Sequence, residues 1–239
     1  AAGFVLRWLA QEGIAGYIEH GNAGAPSEHP TMTIVFLDDV SVLDTGTVPQ
    51  IRFHRNDATE EHDAFSDWHC ARTLQSGGIQ LSSYDYKGVV TNTQQDENRV
   101  DQGDYGNRLA ATGADYTYES HYSANDLEDH ARYGKLRMQA YEGAVELYTG
   151  YGTPRNAPIG TQFELTQHPV HEREGREQRQ FTITQGRLFA RNNLPVEIEK
   201  EVQPLLQRTG LTTSNDTWHQ PADPSLSTPV FLVRINAVR

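Results

Sequence analysis

The sequence predicts an α+β fold in which antiparallel, barrel-like strands carry a few packed helices. Three patterns predict it: a strand pair within residues 159–188, an amphipathic helix at 124–142, and a final strand at 229–235. A chain of 239 residues is long enough to bury a sizeable core. Aromatic residues at 9% place the chain outside the disordered class.

The strand pair is an antiparallel hairpin with one wet face. Residues 162–166 alternate polar and apolar side chains, and the alternation resumes at 181–184. Pro169 cannot donate to a strand ladder, so the first strand should end near His168. The run 172–179 is too charged to bury and is interpreted as the hairpin loop. The wet face of the first strand is expected to hold Gln162, Glu164 and Thr166.

The helix at 124–142 has the clearest boundaries in the sequence. Ser123 is expected to be its N-cap, with Asp126 three residues later as in a capping box, and Gly143 is expected to cap its far end. One face repeats at helical spacing and should pack against the strands. That face consists of Leu127, Ala131, Gly134, Met138 and Tyr141.

The first 40 residues predict a helix followed by two strands. Residues 3–12 are amphipathic, and Gly13 is well placed as a left-handed C-cap. A strand is expected at 14–20, then a loop at 21–30. The nearly continuous apolar run 32–37 predicts a strand buried on both faces. Because the chain opens inside a helical pattern without an initiator Met and closes just after a strand, we expect a fragment of a longer protein.

The remaining elements follow from shorter patterns. Alternation predicts strands at 51–55, 79–86 and from Val145 onward, and 59–63 is a charged turn. The segment 91–104 is rich in Gln, Asn and Asp and is interpreted as a long exposed loop. A turn is expected at 192–195. Residues 196–227 mix acidic residues with Pro, Ser and Thr and are interpreted as an insertion.

Charge and cysteine content exclude several classes of protein. Lys and Arg number 20 against 32 Asp and Glu, and this net charge of -12 argues against nucleic acid and anionic membranes as partners. Mean hydropathy is -0.65. No apolar run approaches the ~20 residues of a membrane helix, and no signal peptide opens the chain. The single cysteine, Cys70, excludes an internal disulfide and is expected to be a small buried residue.

Catalytic and metal-binding motifs are not found, and no catalytic, cofactor or metal residues are predicted. His62 and His69 lie near acidic residues, but their spacing matches no known motif and a polar surface turn explains them better. The acidic residues at the start of the 124–142 helix suit the positive end of its dipole. A cell-wall or sugar hydrolase using Glu128 and Asp129 stays an alternative, although adjacent helical carboxylates point about 100° apart.

A tyrosine-rich run has two interpretations. Tyr116, Tyr118 and Tyr122 either pack an exposed strand and contact another subunit, or form the sugar site of a carbohydrate-binding module. Tyrosine is favoured at protein interfaces, so packing or a subunit contact is preferred.

An ordered set of segments resembles one known family. A helix leads into Gln-Glu-Gly-Ile at 11–14, and an aromatic strand then ends in Glu19-His20. This order resembles VgrG, the trimeric spike proteins of bacterial type VI secretion, which are related to phage tail hubs. The match continues through 51–55, 81–87, 136–140, 160–169 and 190–195. Ser83 departs from the pattern, since the family usually has an acidic residue there.

The resemblance implies a phage tail hub-like fold and a structural role. Residues 1–75 would form an α/β portion of the hub domain and 76–239 its β-barrel-like portion. The hub would trimerise, sit on the tail tube and carry the spike for effector delivery into target cells. The implied partners are the tail tube ring protein, baseplate proteins and effectors or adaptors. The implied location is the bacterial cytoplasm during assembly, then outside the cell or inside a target cell.

The family's preceding β-barrel would lie before Ala1, and its OB-like domain and needle after Arg239. The hub carries no catalytic residues in the family, and charge changes in the 172–179 loop are expected to alter assembly.

Overall fold

The computed structural model describes most of the chain. It covers residues 2–21, 29, 31–39, 42–43, 45–55, 62–121, 123–124, 126–190 and 230–239, with single positions at 198, 201, 202, 204, 208 and 218. Most of the expected loop at 21–30 and of the charged turn at 59–63 lies outside the described residues. The expected turn at 192–195, most of the insertion at 196–227 and Tyr122 also lie outside them.

Three helices and eleven strands order the described residues. The helices are α1 (Ala2–Gln11), α2 (Gly103–Ala110) and α3 (Leu127–Gly143). The strands before α2 are β1 (Ala15–His20), β2 (Met32–Leu37), β3 (Thr45–Phe53), β4 (Ala64–Arg72), β5 (Gly78–Asp85) and β6 (Val90–Glu97). The later strands are β7 (Ala114–Tyr118), β8 (Glu146–Gly152), β9 (Gln162–Thr166), β10 (Gln180–Ala190) and β11 (Phe231–Val238).

A closed six-stranded barrel forms the main body. Its strand order is β10-β11-β8-β4-β3-β9. Neighbouring strands are antiparallel except where β3 runs parallel to β4 and to β9. Two barrel strands precede residue 75 and four follow it. The division of the hub domain at residue 75 stays a prediction.

Aromatic rings fill the barrel. Phe163 contacts Phe65, Trp68 and Phe181 at centroid distances of 5.7, 5.9 and 5.9 Å. Tyr148 stacks on Trp68 at 5.9 Å. Tilted and edge-to-face pairs at these distances add to the stabilisation that comes from burial alone. Because the inward positions of each strand carry large apolar side chains, the barrel closes around a dry core.

A second sheet packs against α3. Its order is β6-β5-β7, with β6 antiparallel and β7 parallel to the central strand β5. Ile79 and Leu81 of β5 are buried against Met138 of α3. The long exposed loop expected at 91–104 is wrong, because this segment forms β6 and the first turn of α2. Strand β6 lies at a sheet edge and is polar on both faces, so it gives no apolar alternation.

The boundaries of α3 correct two predicted caps. Asp126, not Ser123, is the N-cap, and its carboxylate accepts the backbone N–H of Asp129 at 2.8 Å. At the other end the C-cap is Ala144 in a right-handed conformation, so Gly143 is not a left-handed cap. Gly134 and Met138 are buried as expected, whereas Leu127 in the first turn is exposed.

The β9–β10 hairpin is confirmed, but two polar positions of its expected wet face, Glu164 and Thr182, are buried. Glu164, predicted on the wet face, is only 5% exposed. The connection that follows is not an open loop, since short 3₁₀ turns form at His171–Arg173 and Arg176–Arg179. Arg179 from the second turn lies 3.0 Å from the Glu164 carboxylate. The connection therefore folds back, and its Arg179 neutralises a buried charge.

Cys70 is exposed, so the expectation that it is buried is wrong. It lies near the end of β4, two residues beyond the buried ring of Trp68. Together with Trp68 and Tyr148 it lines a cavity of about 280 Å³ at the barrel rim. Cys70 lies on the inward side of β4, but the barrel core ends before this position, so the side chain is exposed.

The first 40 residues fold as α1 followed by a two-stranded hairpin, as expected. Gly13 ends α1 with φ of +74°, a conformation that glycine adopts without steric cost. Strands β1 and β2 pair antiparallel, with Ile18 opposite Ile34 and Gly16 opposite Phe36. Burial of the 32–37 strand on both faces is wrong, since its burial pattern is largely exposed. The two-stranded sheet has only one face turned to the rest of the chain.

Candidate assembly interface

Helix α1 and the β1–β2 hairpin, together the helix–hairpin unit, carry many exposed apolar side chains. Strand alternation places one set of side chains on a single hairpin face, because Ile18 pairs with Ile34 and the neighbouring pairs bring Phe36 and Met32 to the same side. We call this set the apolar hairpin face. Its members are Ile18, Met32, Ile34 and Phe36, with exposed fractions of 48, 67, 63 and 56%.

Helix α1 adds a second apolar group to the unit. Phe4 and Trp8 are one helical turn apart, and their ring centroids lie 5.4 Å from each other. Both rings are more than half exposed. Val5 and Leu6 beside them are also exposed. Such a concentration of solvated apolar side chains marks an interaction surface.

Polar contacts at the C-terminal end of α1 hold the unit to α3. The carboxylate of Glu12 accepts hydrogen bonds from Arg132 at 2.6 Å and from Tyr133 at 2.9 Å. These bonds, that from Arg132 first, lower the pKa of Glu12 below its ordinary value. Leu136 of α3 covers Gly13 so closely that a Cβ there would lie 2.5 Å from a leucine methyl. The attachment is thus local and lies at one end of the unit.

The hairpin touches the barrel through Tyr17. Its ring lies over Gly160, where an added Cβ would be 2.8 Å from the ring carbons and where φ is +81°. Tyr17 pairs with Val35, and both are half-buried on the face opposite to the apolar hairpin face. One side of the hairpin is therefore anchored, and the other side presents large apolar groups to solvent.

The barrel rim carries a second cluster, built from charges. Glu164 is held by Arg179 at 3.0 Å, by Arg176 at 3.4 Å and by the side-chain amide of Gln50 at 3.2 Å. Glu172 accepts the backbone N–H of Gln167, which has φ of +60°. These contacts fix the connection between β9 and β10 against the barrel.

The middle of the same connection is tied to Arg239, the residue that follows β11. Arg239 donates to Glu174 at 2.7 Å, and the ring of His171 lies 2.8 Å from the same carboxylate oxygen. Burial raises the pKa of Glu174, but the hydrogen bonds from His171 and Arg239 outweigh it, so the pKa lies below its ordinary value. Burial lowers the pKa of His168, and the neighbouring His171 lowers it further. This cluster stabilises the barrel end through paired charges.

Tyr148 packs against His171 of this cluster. Its hydroxyl donates to Glu146 at 2.6 Å, and its ring packs against His171 at 5.8 Å. Burial, and then the bond to Glu146, raise the pKa of this phenol well above its ordinary value. The phenol therefore stays protonated and acts as a structural donor.

The residues considered for a catalytic or metal site do not come together in one site. His69 bonds to Asp67 at 2.9 Å in an exposed pair, and His62 is exposed near the start of β4. Among the described residues, no group of three His, Cys, Asp or Glu side chains is arranged to hold a metal ion. Glu128 and Asp129 lie in the first turn of α3, where Asp129 is 4.0 Å from Arg132. Tyr116 and Tyr118 lie exposed on β7.

The apolar hairpin face was missed at the sequence level, although its residues were identified. The run Met-Thr-Ile-Val-Phe-Leu predicted a strand correctly, but a continuous apolar run is typical of burial on both faces within one chain. Here the second face is apolar without any described segment covering it. None of the described helices has the length and apolar character needed to span a bilayer.

Comparison with known proteins places this chain among tail proteins. A family model described as "Phage tail baseplate hub (GPD)" matches residues 1–194. Two relatives are type VI secretion system spike proteins of Pseudomonas aeruginosa. VgrG1b is 28% identical over 171 residues, which is 70% of this chain and 21% of that protein. VgrG1c is 29% identical over 109 residues, which is 46% of this chain and 14% of that protein. The matches thus span about a fifth or less of the length of these relatives.

One solved structure shares the fold. The 43 kDa tail protein of prophage MuSo2 from Shewanella oneidensis aligns with a TM-score of 0.50 at 9% identity, covering 99% of this chain and 53% of that protein. The resemblance to VgrG and tail hubs and the predicted α+β, tail hub-like fold class are confirmed.

Proposed function

The chain belongs to the phage tail baseplate hub family, and from this we propose that it is a structural component of a type VI secretion spike. Its work is mechanical: copies assemble into a hub that sits on the tail tube and carries the spike for effector delivery. The VgrG names of the relatives support the secretion role. We propose no catalytic role, because Glu128 and Asp129 lie at a helix start where carboxylates stabilise the positive helix end.

The observation that carries the proposal is the apolar hairpin face. Four large apolar side chains on one face of a two-stranded sheet are each about half exposed or more. Removing apolar surface of this kind from water is favourable by about 25 cal/mol per Å² of buried area. A second copy of this chain is the proposed occupant, and a hub of three copies around a threefold axis is the proposed assembly.

The partners and location of the hub follow from the same role. The tail tube ring protein and baseplate proteins would contact the assembled hub, and effectors or adaptors would join the spike. Assembly would take place in the bacterial cytoplasm, and the spike would then leave the cell or enter a target cell. The net charge of -12 would keep an expelled protein soluble.

Light scattering over a concentration series tests assembly and its surface together. We expect a native mass about three times 26.8 kDa for the unchanged chain. Replacing Ile34 and Phe36 with Asp should weaken association at least about tenfold, because two charges would be buried in an apolar contact. The control is Leu109→Asp on α2, since Leu109 is 60% exposed and Ile34 is 63% exposed.

Either of two results contradicts the proposal. One is a monomer at every concentration. The other is a trimer that the double substitution and the control substitution weaken equally. Circular dichroism of each variant checks that the barrel has folded before the masses are compared.

A further inference from the structure

The sheet formed by β6, β5 and β7 has a second face that α3 does not cover. Ile79 and Leu81 of β5 point toward α3, so Gln80 and Ser82 between them point the other way. On β7, Asp115 and Thr117 bond to Tyr141 and Arg137 of α3. Tyr116 and Tyr118 therefore lie on the same face as Gln80 and Ser82, although Ser82 itself is only 3% exposed.

The side chains of this face form two rows across the three strands. In one row Gln95, Gln80 and Tyr116 are cross-strand neighbours, and in the next Thr93, Ser82 and Tyr118 are. We call these six residues the polar sheet face. The side-chain amides of Gln95 and Gln80 bond at 3.0 Å, and the hydroxyls of Ser82 and Thr93 at 3.1 Å. These bonds hold the amides and hydroxyls in fixed positions beside the rings.

The tyrosines extend the rows as an open platform. Tyr116 is 60% exposed and Tyr118 is 53% exposed. Residues two apart on a strand are separated by roughly 6.5–7 Å, so the two rings lie side by side along β7. Neither phenol is needed for packing inside the chain, because more than half of each is in solvent.

A cavity lies beside the Gln80–Gln95 pair, and neither tyrosine belongs to its lining. Its volume is about 650 Å³, and its lining includes Gln80 and Gln95 together with Asn98 and with Asn107 of α2. Ligand sites in proteins commonly have volumes of about 300–1,000 Å³. The amide row thus forms one wall of a space large enough for several sugar-sized rings.

The chemistry of this surface selects its ligand. All six side chains are uncharged, although the chain carries a net charge of -12. An apolar protein surface would cover the donors and acceptors that remain after the Gln80–Gln95 and Ser82–Thr93 bonds and would leave them unsatisfied, which is costly. A neutral sugar offers C–H groups to an aromatic ring and hydroxyls to amides and alcohols. Three acidic residues line the cavity, Asp96, Glu97 and Asp101, against one cationic residue, Arg99, and this excess of negative charge disfavours an anionic sugar.

We infer that the polar sheet face binds a neutral oligosaccharide chain, with Tyr116 and Tyr118 stacking on sugar rings and the Gln80–Gln95 row hydrogen-bonding to their polar groups. This activity is separate from assembly through the apolar hairpin face. It would give the hub an affinity for polysaccharide surfaces, and it assigns a role to tyrosines that the assembly role leaves unused.

Isothermal titration calorimetry with three hexasaccharides tests the inference. The probes are cellohexaose and the hexamer of β-1,4-linked N-acetylglucosamine, both neutral, and the hexamer of galacturonic acid, which is anionic. We expect at least one neutral hexamer to bind and the anionic hexamer to bind at least about tenfold more weakly. Replacing both Tyr116 and Tyr118 with Ala should weaken the neutral hexamer by at least about tenfold, and Gln80→Ala should weaken it less.

The matched control is Tyr105→Ala, because Tyr105 of α2 is 86% exposed and lies off this face. It should leave binding unchanged. The inference is overturned if neither neutral hexamer binds, if the tyrosine pair can be removed without loss, or if Tyr105→Ala weakens binding as much. Unfolding temperatures of all variants are compared with that of the unchanged chain, and exposed-ring substitutions are expected to leave them within a few degrees.

Discussion

The barrel and the helix–hairpin unit use the same kinds of side chain in opposite ways. In the barrel, Phe65, Phe163 and Phe181 are each at most 2% exposed. In the unit, Phe4, Trp8 and Phe36 are each more than half exposed. The difference is topological, since six strands close around their own apolar side chains and two strands cannot.

This comparison separates the residues that fold the chain from those that remain for assembly. A closed barrel buries the side chains of its core within one copy, so its apolar content stabilises the monomer. A lone hairpin buries one face and leaves the other exposed, and this exposed face is where we propose that another copy binds. The same apolar run can therefore predict a strand correctly although the strand is not buried on both faces within one chain.

Phe163→Ala should have the largest effect on stability. Removing this ring deletes contacts to three aromatic neighbours and leaves a cavity in the closed core, which costs about 3–5 kcal/mol. Urea unfolding followed by circular dichroism measures the loss. Phe36→Ala is the matched substitution on the apolar hairpin face, and at low protein concentration it should cost less than about 1 kcal/mol. Equal losses for the two variants would contradict the division between folding and assembly residues.

The two arginines that pair with Glu164 should give the next largest difference in stability when each is substituted. Arg179 and Arg176 both pair with Glu164, but their side chains are 19% and 76% exposed. Arg179→Ala should cost roughly 2–4 kcal/mol, because it leaves Glu164 buried without its nearer partner. Arg176→Ala should cost less than about 1 kcal/mol, as an exposed pair does. If Arg176→Ala proves the more costly, the barrel rim does not depend on burial of the pair as described.

Acid should weaken the barrel rim by a smaller amount. The folded-state pKa of His168 lies below its ordinary value of 6.5, so the stability it contributes is present above pH 6.5 and is lost as the pH falls through the folded value. Glu174 behaves in the same way below its ordinary value of 4.5. Urea midpoints measured from pH 7.5 to 3.5 should fall in both windows. His168→Gln should flatten the upper window and Glu174→Gln the lower one; a fall that neither substitution changes would place the titrating groups elsewhere.

The sequence predicts most elements of this fold and few of its surfaces. Alternation correctly predicts the strands at 79–86 and 162–166, because each has one apolar face, and the strand expected at 14–20 is also present. Strand β6 has no such face and was assigned to a loop. Burial of Glu164 depends on Arg179, which a long-range fold-back brings to it, and no local pattern encodes that contact.

The candidate surfaces needed the fold for a similar reason. The apolar residues of β2 and the tyrosines of β7 were both identified from the sequence. Which of their faces lies in solvent depends on the elements packed behind them: the barrel at Gly160 for the hairpin, and α3 for β7. Periodicity shows which residues share one face of a strand, but it does not show which element packs against that face.

Hydrogen exchange measured at low and high protein concentration tests the central claim most directly. We expect amides of β1 and β2 to exchange more slowly at high concentration, because the apolar hairpin face is then covered by another copy. Amides of β8, β9 and β11 in the closed barrel should be unaffected by concentration. Slower exchange of the barrel strands at high concentration, with no change in β1 and β2, would contradict the account. Assembly would then use a surface other than the apolar hairpin face.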